Sequence, residues 1–144
     1  MVEVVVNRCY GGFGLSDETI RLYAEKKGIT LYTEEDEFGF RHYYTVPIEE
    51  HKELTEAYET ARENYRWDDS VVREALERVN DTYFYDRQMK RDDPVLVDVV
   101  RRLGEKANGE HASLKIVEVP DDVKWTIEEY DGMEHVAEQH RTWQ

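Results

Sequence analysis

The chain begins with an apolar run that predicts a buried strand. Residues Val2 to Val6 are β-branched apart from Glu3, a composition typical of strands. The stretches "ITLYT" and "FRHYYTV" predict two more strands on either side of the acidic turn "EEDEFG", and "TYFY" predicts another short one. Near the end, "SLKIVEVPDDVKWTIEEY" predicts a β-hairpin with "PDD" at its turn.

Helical periodicity occupies most of the chain between these strands. Ser16 is placed to cap a helix that runs to about Lys27, and Gly28 follows as the residue after its C-terminus. Apolar residues at helical spacing predict two helices between residues 48 and 79, joined at "RWDDS". Asp93 and Pro94 are a typical N-cap and first residue of a further helix. The segment "DGMEHVAEQHRTWQ" begins at a turn and predicts a short C-terminal helix.

This order of elements predicts an α+β fold in which helices pack on one face of a mostly antiparallel sheet. We expect residues 1–144 to form a single domain, with residues 48–80 as an inserted helical hairpin. No apolar run approaches the roughly 20 residues that cross a bilayer, so we expect no membrane partner. The opening "MVEVVVNR" lacks the basic region of a signal peptide, and the lone Cys9 fits a reducing cytoplasm.

The net charge of −14 arises from 33 acidic against 19 basic residues. A surface of this charge repels nucleic-acid backbones, so we expect no nonspecific nucleic-acid binding. Two interpretations of the acidity stay open. It can serve solubility, or its carboxylates can stand where phosphates lie in a nucleic acid.

The segment "NRCYGGFGLSDET" between the first strand and the first helix is the first candidate site. It matches neither GxGxxG nor the Walker motif, it has no lysine, and Asp17 and Glu18 place negative charge at the helix start. One interpretation is a tight turn. The other is a ligand pocket in which backbone N–H groups meet oxygens and an aromatic side chain stacks on a flat ring. The residues of this candidate pocket are Tyr10, Gly11, Gly12, Phe13 and Ser16.

A local group of basic residues stands out in this acidic chain. Arginines in such a group suit a bound phosphate or carboxylate, and here Arg91 or Arg102 would neutralise the ligand. The alternative is ion pairing with the abundant aspartates and glutamates. The group consists of Arg87, Lys90, Arg91, Arg101 and Arg102.

The C-terminal "YDGMEHVAEQHRTW" is dense in polar and aromatic residues. In a helix, His135 and Glu138 would share a face, and His140 adds a further metal-binding residue type. The order is neither HExxH nor HxxEH, so we predict no metal site and no cofactor. The candidate ligand-binding residues in this segment are Tyr130, Asp131, His135, His140, Arg141 and Trp143.

Nucleophilic catalysis has little basis in the sequence. Cys9 ends a strand, where a cysteine is more often a small buried side chain than a nucleophile. No serine lies in a GxSxG motif. We therefore predict no catalytic residue.

Three blocks of the sequence resemble a family of small proteins of tailed bacteriophages and prophages. The blocks are "NRCYGGFGLSDE", "RDDPVLVDVVRRLGEKANG" and "LKIVEVPDDVKWTIEEYDGMEHVAEQHRTW". The region from about Thr33 to Asp81 has no part in the resemblance. The family has no firmly assigned activity, so the resemblance implies a setting, the host bacterial cytoplasm during infection, and no mechanism.

The leading hypothesis is a phage accessory protein that counters host defence by sequestering a small nucleotide-like ligand without catalysis. The ligand would lie between the glycine segment, the arginine group and the C-terminal tail. A pocket shared between subunits would make the protein a symmetric homo-oligomer. One alternative is an acidic inhibitor of a host protein, including a nucleic-acid mimic. Another is a small hydrolase that uses a metal or Cys9.

Overall fold

A computed structural model describes residues 1–139 and places four α-helices and six strands in this part of the chain. All the strand pairs there are antiparallel, and the α+β class predicted from the sequence is confirmed. The chain divides into two compact units, one built from Met1–Gly28 and the chain from Asp86 onward, the other from Ile29–Tyr85. Among the described residues, no helix is both long enough and apolar enough to cross a membrane.

The strands of the first unit form two separate pairs. β1 (Val2–Asn7) pairs with β4 (Leu114–Val119), and β5 (Trp125–Tyr130) pairs with β6 (Met133–Glu138). The predicted hairpin of β4 with β5 is therefore wrong, because residues 120–124 connect strands of different sheets. Both segments form strands, as the sequence predicted, but β4 pairs with the distant β1 and not with β5.

The predicted C-terminal helix is wrong over residues 133–138, which form β6. The preceding turn has Asp131 at φ 53° and Gly132 at φ 91°, two left-handed residues in succession as in the type I′ turn of a tight hairpin. Val136 lies opposite Ile127, and both side chains pack against the apolar core around β1. Burial of this strand face outweighs the helical propensity of the local sequence.

Two capped helices pack together in the first unit, and one of them contacts β1. α1 (Asp17–Lys26) begins after Ser16 and α4 (Pro94–Leu103) after Asp93, and each cap side chain accepts a backbone N–H of the first turn. Both predicted helix starts are confirmed. Short 3₁₀ turns lie at Asp86–Gln88 and Gly104–Ala107. The fully buried apolar side chains of this unit include Val4, Val5, Val6, Leu96 and Val99.

The second unit combines a β-hairpin with a helical hairpin. β2 (Tyr32–Glu35) pairs with β3 (Arg41–Tyr44), and α2 (Ile48–Asn64) is followed by α3 (Ser70–Asn80). The two helices predicted between residues 48 and 79 are confirmed. The "TYFY" segment forms a single antiparallel bridge from Tyr83 to Tyr44 among the described residues, in place of the predicted strand.

A small polar and aromatic cluster lies in the core of the second unit. The ring of buried His51 stacks on Tyr44 with centroids 4.1 Å apart and meets Tyr83 edge-on at 4.9 Å. His51 Nδ1 lies 2.8 Å from the hydroxyl oxygen of buried Thr82. Burial lowers the pKa of His51 below its usual 6.5, because the charged imidazolium loses hydration in this core.

Candidate functional site

The glycine segment packs directly against the turn that joins β5 to β6. A Cβ on Gly132 would lie 2.5 Å from the Tyr10 carbonyl oxygen and 2.6 Å from the Gly12 nitrogen, so only glycine permits this approach. A Cβ on Gly11 would overlap the His111 carbonyl oxygen. We call the surface formed by residues 9–14 and 130–132 the loop–turn platform.

Buried Asn7, the last residue of β1, holds the two halves of this platform together. Its side-chain amide donates to the carbonyl oxygens of Cys9 and Gly132, both at 2.8 Å. Its side-chain oxygen accepts the Ser113 N–H at 2.9 Å, and its own backbone N–H donates to Glu134 Oε1 at 2.9 Å. These bonds satisfy the amide in full and fix the loop relative to the turn.

Arg91 lies under the platform and is committed to Glu134. Its guanidinium donates to the two carboxylate oxygens of Glu134 at 2.6 and 2.8 Å, and it also donates to the Val5 carbonyl at 3.2 Å. The guanidinium carbon lies 3.4 Å from the centroid of the Phe13 ring, which places the cation over one face of that ring. Arg91 and Phe13 were both predicted to meet the ligand, but in the structure they contact each other, and Arg91 is paired with Glu134.

Glu134 remains ionised in this buried setting because of its hydrogen bonds. Burial alone would raise the pKa of Glu134, but the hydrogen bonds from Arg91 and from the Asn7 N–H, together with the Arg91 charge, lower it. The side chain of Glu134 is 8% exposed and that of Arg91 21%. A ligand phosphate would have to displace a bidentate carboxylate to reach this arginine.

Three groups of the platform are left available to a ligand. The side chains of Tyr10 and Tyr130 are 64% and 77% exposed. Within residues 1–139, no protein acceptor meets the backbone N–H groups of Gly11, Gly12 and Phe13. Arg8, which precedes Tyr10 by two residues, is exposed.

Arg8 was not predicted as a site residue. Its guanidinium donates to the Glu134 carbonyl oxygen at 3.0 Å, so the side chain reaches from the end of β1 to β6. In the described part of the chain, no carboxylate pairs with it. The sequence carried no local signal for this residue, because its contact with Glu134 depends on β6 being a strand.

The other predicted residues have different surroundings. Ser16 acts as a helix cap and also donates to the Lys106 carbonyl at 2.7 Å. Arg102 pairs with Asp98 on its own helix at 3.2 Å. His135 is exposed and pairs with Glu128 across the β5–β6 hairpin at 3.1 Å. His140, Arg141 and Trp143 lie outside the described residues.

The groups considered for catalysis are engaged in structural contacts. The Cys9 Sγ lies 2.9 Å from the His111 carbonyl oxygen and 3.3 Å from the Asn7 side-chain oxygen, and its single S–H is shared between these acceptors. Residues 1–139 contain no group of three or more histidine, cysteine or acidic side chains that could hold a metal ion. Because residues 133–138 form a strand, His135 and Glu138 lie on opposite faces and do not share the helix face that was expected.

Comparisons with known proteins identify no relative of this chain: no protein-family model, no curated protein and no solved structure matches it.

Proposed function

We propose that this protein binds and sequesters a small nucleotide-like ligand on the loop–turn platform without chemically changing it. The observation that carries the proposal is the rigid joining of two exposed tyrosines, Tyr10 and Tyr130, through the close contact at Gly132. Aromatic side chains held on a fixed backbone lose little conformational entropy when a planar ring stacks on them.

The platform offers complementary polar groups for the rest of such a ligand. Ligand oxygens would accept hydrogen bonds from the free N–H groups of Gly11 and Gly12, and Arg8 would supply positive charge. Stacking contributes about 1–3 kcal/mol per base in proteins that bind single strands. Arg91 would not contact the ligand but would hold Phe13 and Glu134 in position.

The biological setting is a proposal of the same kind. The sequence resemblance supports an accessory role during phage infection, in the host bacterial cytoplasm, against a nucleotide-type defence signal. The platform is open on its tyrosine side, so a second copy of the chain placed over it would bury the ligand further, in a homo-oligomer.

Calorimetric titration with a panel of cyclic and linear nucleotides tests the proposal. We expect at least one to bind, and we expect Tyr10→Ala and Tyr130→Ala each to weaken that binding by about tenfold, since each removes a stacking surface. Tyr65→Ala is the matched control, because Tyr65 is 50% exposed and lies in the second unit. Absence of binding by the whole panel, or equal loss in all three variants, would contradict the proposal.

A second candidate function, inhibition of a host protein, is favoured by the tip of the β2–β3 hairpin. Phe38 and Phe40 are 77% and 65% exposed there, and Asp36 fixes the turn by accepting both of their backbone N–H groups at 2.9 and 3.0 Å. Large exposed aromatic side chains on a fixed turn are typical anchors of protein interfaces. If this candidate is correct, Phe38→Ser should abolish inhibition of the host target in cells while nucleotide binding persists.

A further inference from the structure

The helical hairpin of the second unit contains a groove that the sequence analysis did not predict. It has a volume of about 810 Å³ and lies between the C-terminal half of α2, the α2–α3 turn and the first half of α3. We call it the hairpin groove. Its lining residues are Tyr58, Arg62, Trp67, Asp68, Val72, Arg73 and Leu76.

The groove has an apolar floor and an aromatic wall. Val72 is buried at 5% exposure, and Leu76, one turn further along α3, is 37% exposed. Trp67 in the turn is 81% exposed, which is unusual for a side chain of this size. These side chains offer apolar contact and a stacking face to a flat molecule of modest size.

Two arginines, Arg62 and Arg73, line the groove. Arg62 has its guanidinium carbon 5.5 Å from the centroid of the Tyr58 ring, one turn earlier on α2. Neither Arg62 nor Arg73 forms an ion pair within the described chain. Among residues 1–139, Asp68 supplies the one carboxylate that lines the groove, and it pairs with Arg66 at 3.2 Å.

Such unpaired arginines are unexpected in a protein with 33 acidic and 19 basic residues. Acidic residues are abundant on both helices, and Glu59 and Glu63 line a smaller pocket together with Arg62 without forming an ion pair with it among the described residues. Arginines that remain unpaired in these surroundings, beside two aromatic rings, complement a ligand that is both anionic and aromatic.

We infer that the hairpin groove is a second binding site, for a planar aromatic molecule that carries an anionic group. The aromatic ring stacks on Trp67 over the Val72 floor, and the anionic group receives hydrogen bonds from Arg62 and Arg73. The site lies wholly in the second unit, and none of its residues belongs to the loop–turn platform. It therefore does not depend on the proposed function of the platform.

Fluorine NMR of the whole chain labelled with fluorotryptophan tests this inference. The Trp67 resonance is identified by its absence in Trp67→Phe. The probes are AMP and indoleacetate, which combine a ring with an anion, adenosine, which has only the ring, and inorganic phosphate, which has only the anion. We expect AMP or indoleacetate to shift the Trp67 resonance. Adenosine and phosphate should each bind more weakly than these two, by a factor of about ten or greater.

Paired variants separate the arginines of the groove from the general charge of the helices. Arg62→Gln and Arg73→Gln should each weaken binding by about tenfold, the loss expected for one charge-assisted hydrogen bond. Arg78→Gln, on α3 but outside the groove, should leave it unchanged. If neither aromatic anion shifts Trp67, or if all three variants bind alike, the inference is overturned.

Ligand binding at the hairpin groove can be distinguished from ligand binding at the loop–turn platform. Platform binding is read as a calorimetric signal that Tyr10→Ala weakens, whereas groove binding is read at Trp67 and is weakened by Arg73→Gln. AMP that shifts Trp67 in the Tyr10→Ala protein would support the groove even if the platform binds nothing. A nucleotide that binds in the calorimeter without moving Trp67 would support the platform alone.

Discussion

Arg91 and Glu134 form a bidentate ion pair, with oxygens 2.6 and 2.8 Å from the guanidinium, beneath the loop–turn platform. The pair joins the segment before α4 to β6, and through the Asn7 N–H it also holds β1. Arg91, which was expected to bind the ligand, thus helps to hold together β1, the segment before α4 and β6. This explains how an exposed glycine loop can keep a defined shape.

Removing the acid of this pair should destabilise the first unit. Glu134→Ala leaves the Arg91 charge without its partner and the Asn7 N–H without its acceptor, so we expect the free energy of unfolding to fall by about 2–3 kcal/mol. Arg102→Gln is the control, because its pair with Asp98 is exposed and should contribute less than about 1 kcal/mol. Urea unfolding measures both. Equal effects would show that the buried pair has no special role.

The contact at Gly132 should tolerate no side chain. Gly132→Ala places a methyl group 2.5 Å from the Tyr10 carbonyl oxygen, and we expect it to lower the free energy of unfolding by about 2 kcal/mol or more. Gly12→Ala is a matched control: its φ is 92°, similar to the 91° of Gly132, but its Cβ would meet nothing within 4 Å. Its cost should be the backbone strain alone, about 1 kcal/mol. Thermal unfolding of the two variants separates the close contact from the strain.

Tyr23 should resist ionisation at alkaline pH. Its hydroxyl donates to Asp93 at 2.7 Å, and burial, followed by this hydrogen bond, raises the pKa of Tyr23 to about 12. In a spectrophotometric titration, Tyr23→Phe should leave the absorbance change near pH 10 intact and reduce the one near pH 12. The substitution should also lower the free energy of unfolding by about 1.5 kcal/mol, since Asp93 loses a donor. Loss of absorbance change near pH 10 instead would contradict the assigned environment.

Mild acid should destabilise the second unit through His51. Its pKa is lowered by burial, so between that value and 6.5 the unfolded chain binds more protons than the folded one. The free energy of unfolding therefore falls as the pH drops below about 6.5, by at most about 1.4 kcal/mol per pH unit for this one group. Hydrogen exchange of amides in α2 and α3 measures the fall. His51→Gln should reduce the pH dependence, and an unchanged profile would assign it to other groups.

The local features of the fold were predictable from sequence, because their causes lie within a few residues. Ser16, Asp93 and Pro94 identified helix starts since a cap acts on the turn directly after it. The I′ turn at Asp131 and Gly132 was equally readable, as Asp-Gly is a strong hairpin signal. The helical interpretation of the residues after it gave too little weight to that signal.

The wrong strand pairing and the missed ion pair concern partners that are distant in the chain. β4 was assigned to the neighbouring β5, but its apolar face is completed by β1, and no local pattern specifies that choice. The same limit applies to the candidate site. Arg91 was correctly recognised as unusual, but its partner Glu134 could be identified only after β6 was known to pass beside β1.

The division of the chain into an uninterrupted second unit and a first unit made of two segments has a consequence for synthesis on the ribosome. The second unit is complete once Tyr85 has been translated, whereas 127 positions separate Asn7 from Glu134, which it must contact. At about 5–20 residues per second, translation of that interval takes on the order of ten seconds. Before β4 and β6 are translated, the valines of β1 lack the strands that they pack against, whereas the second unit can already fold. The apolar residues of β1 are therefore exposed to aggregation and to chaperone binding until β4 and β6 have been translated and can pack against them.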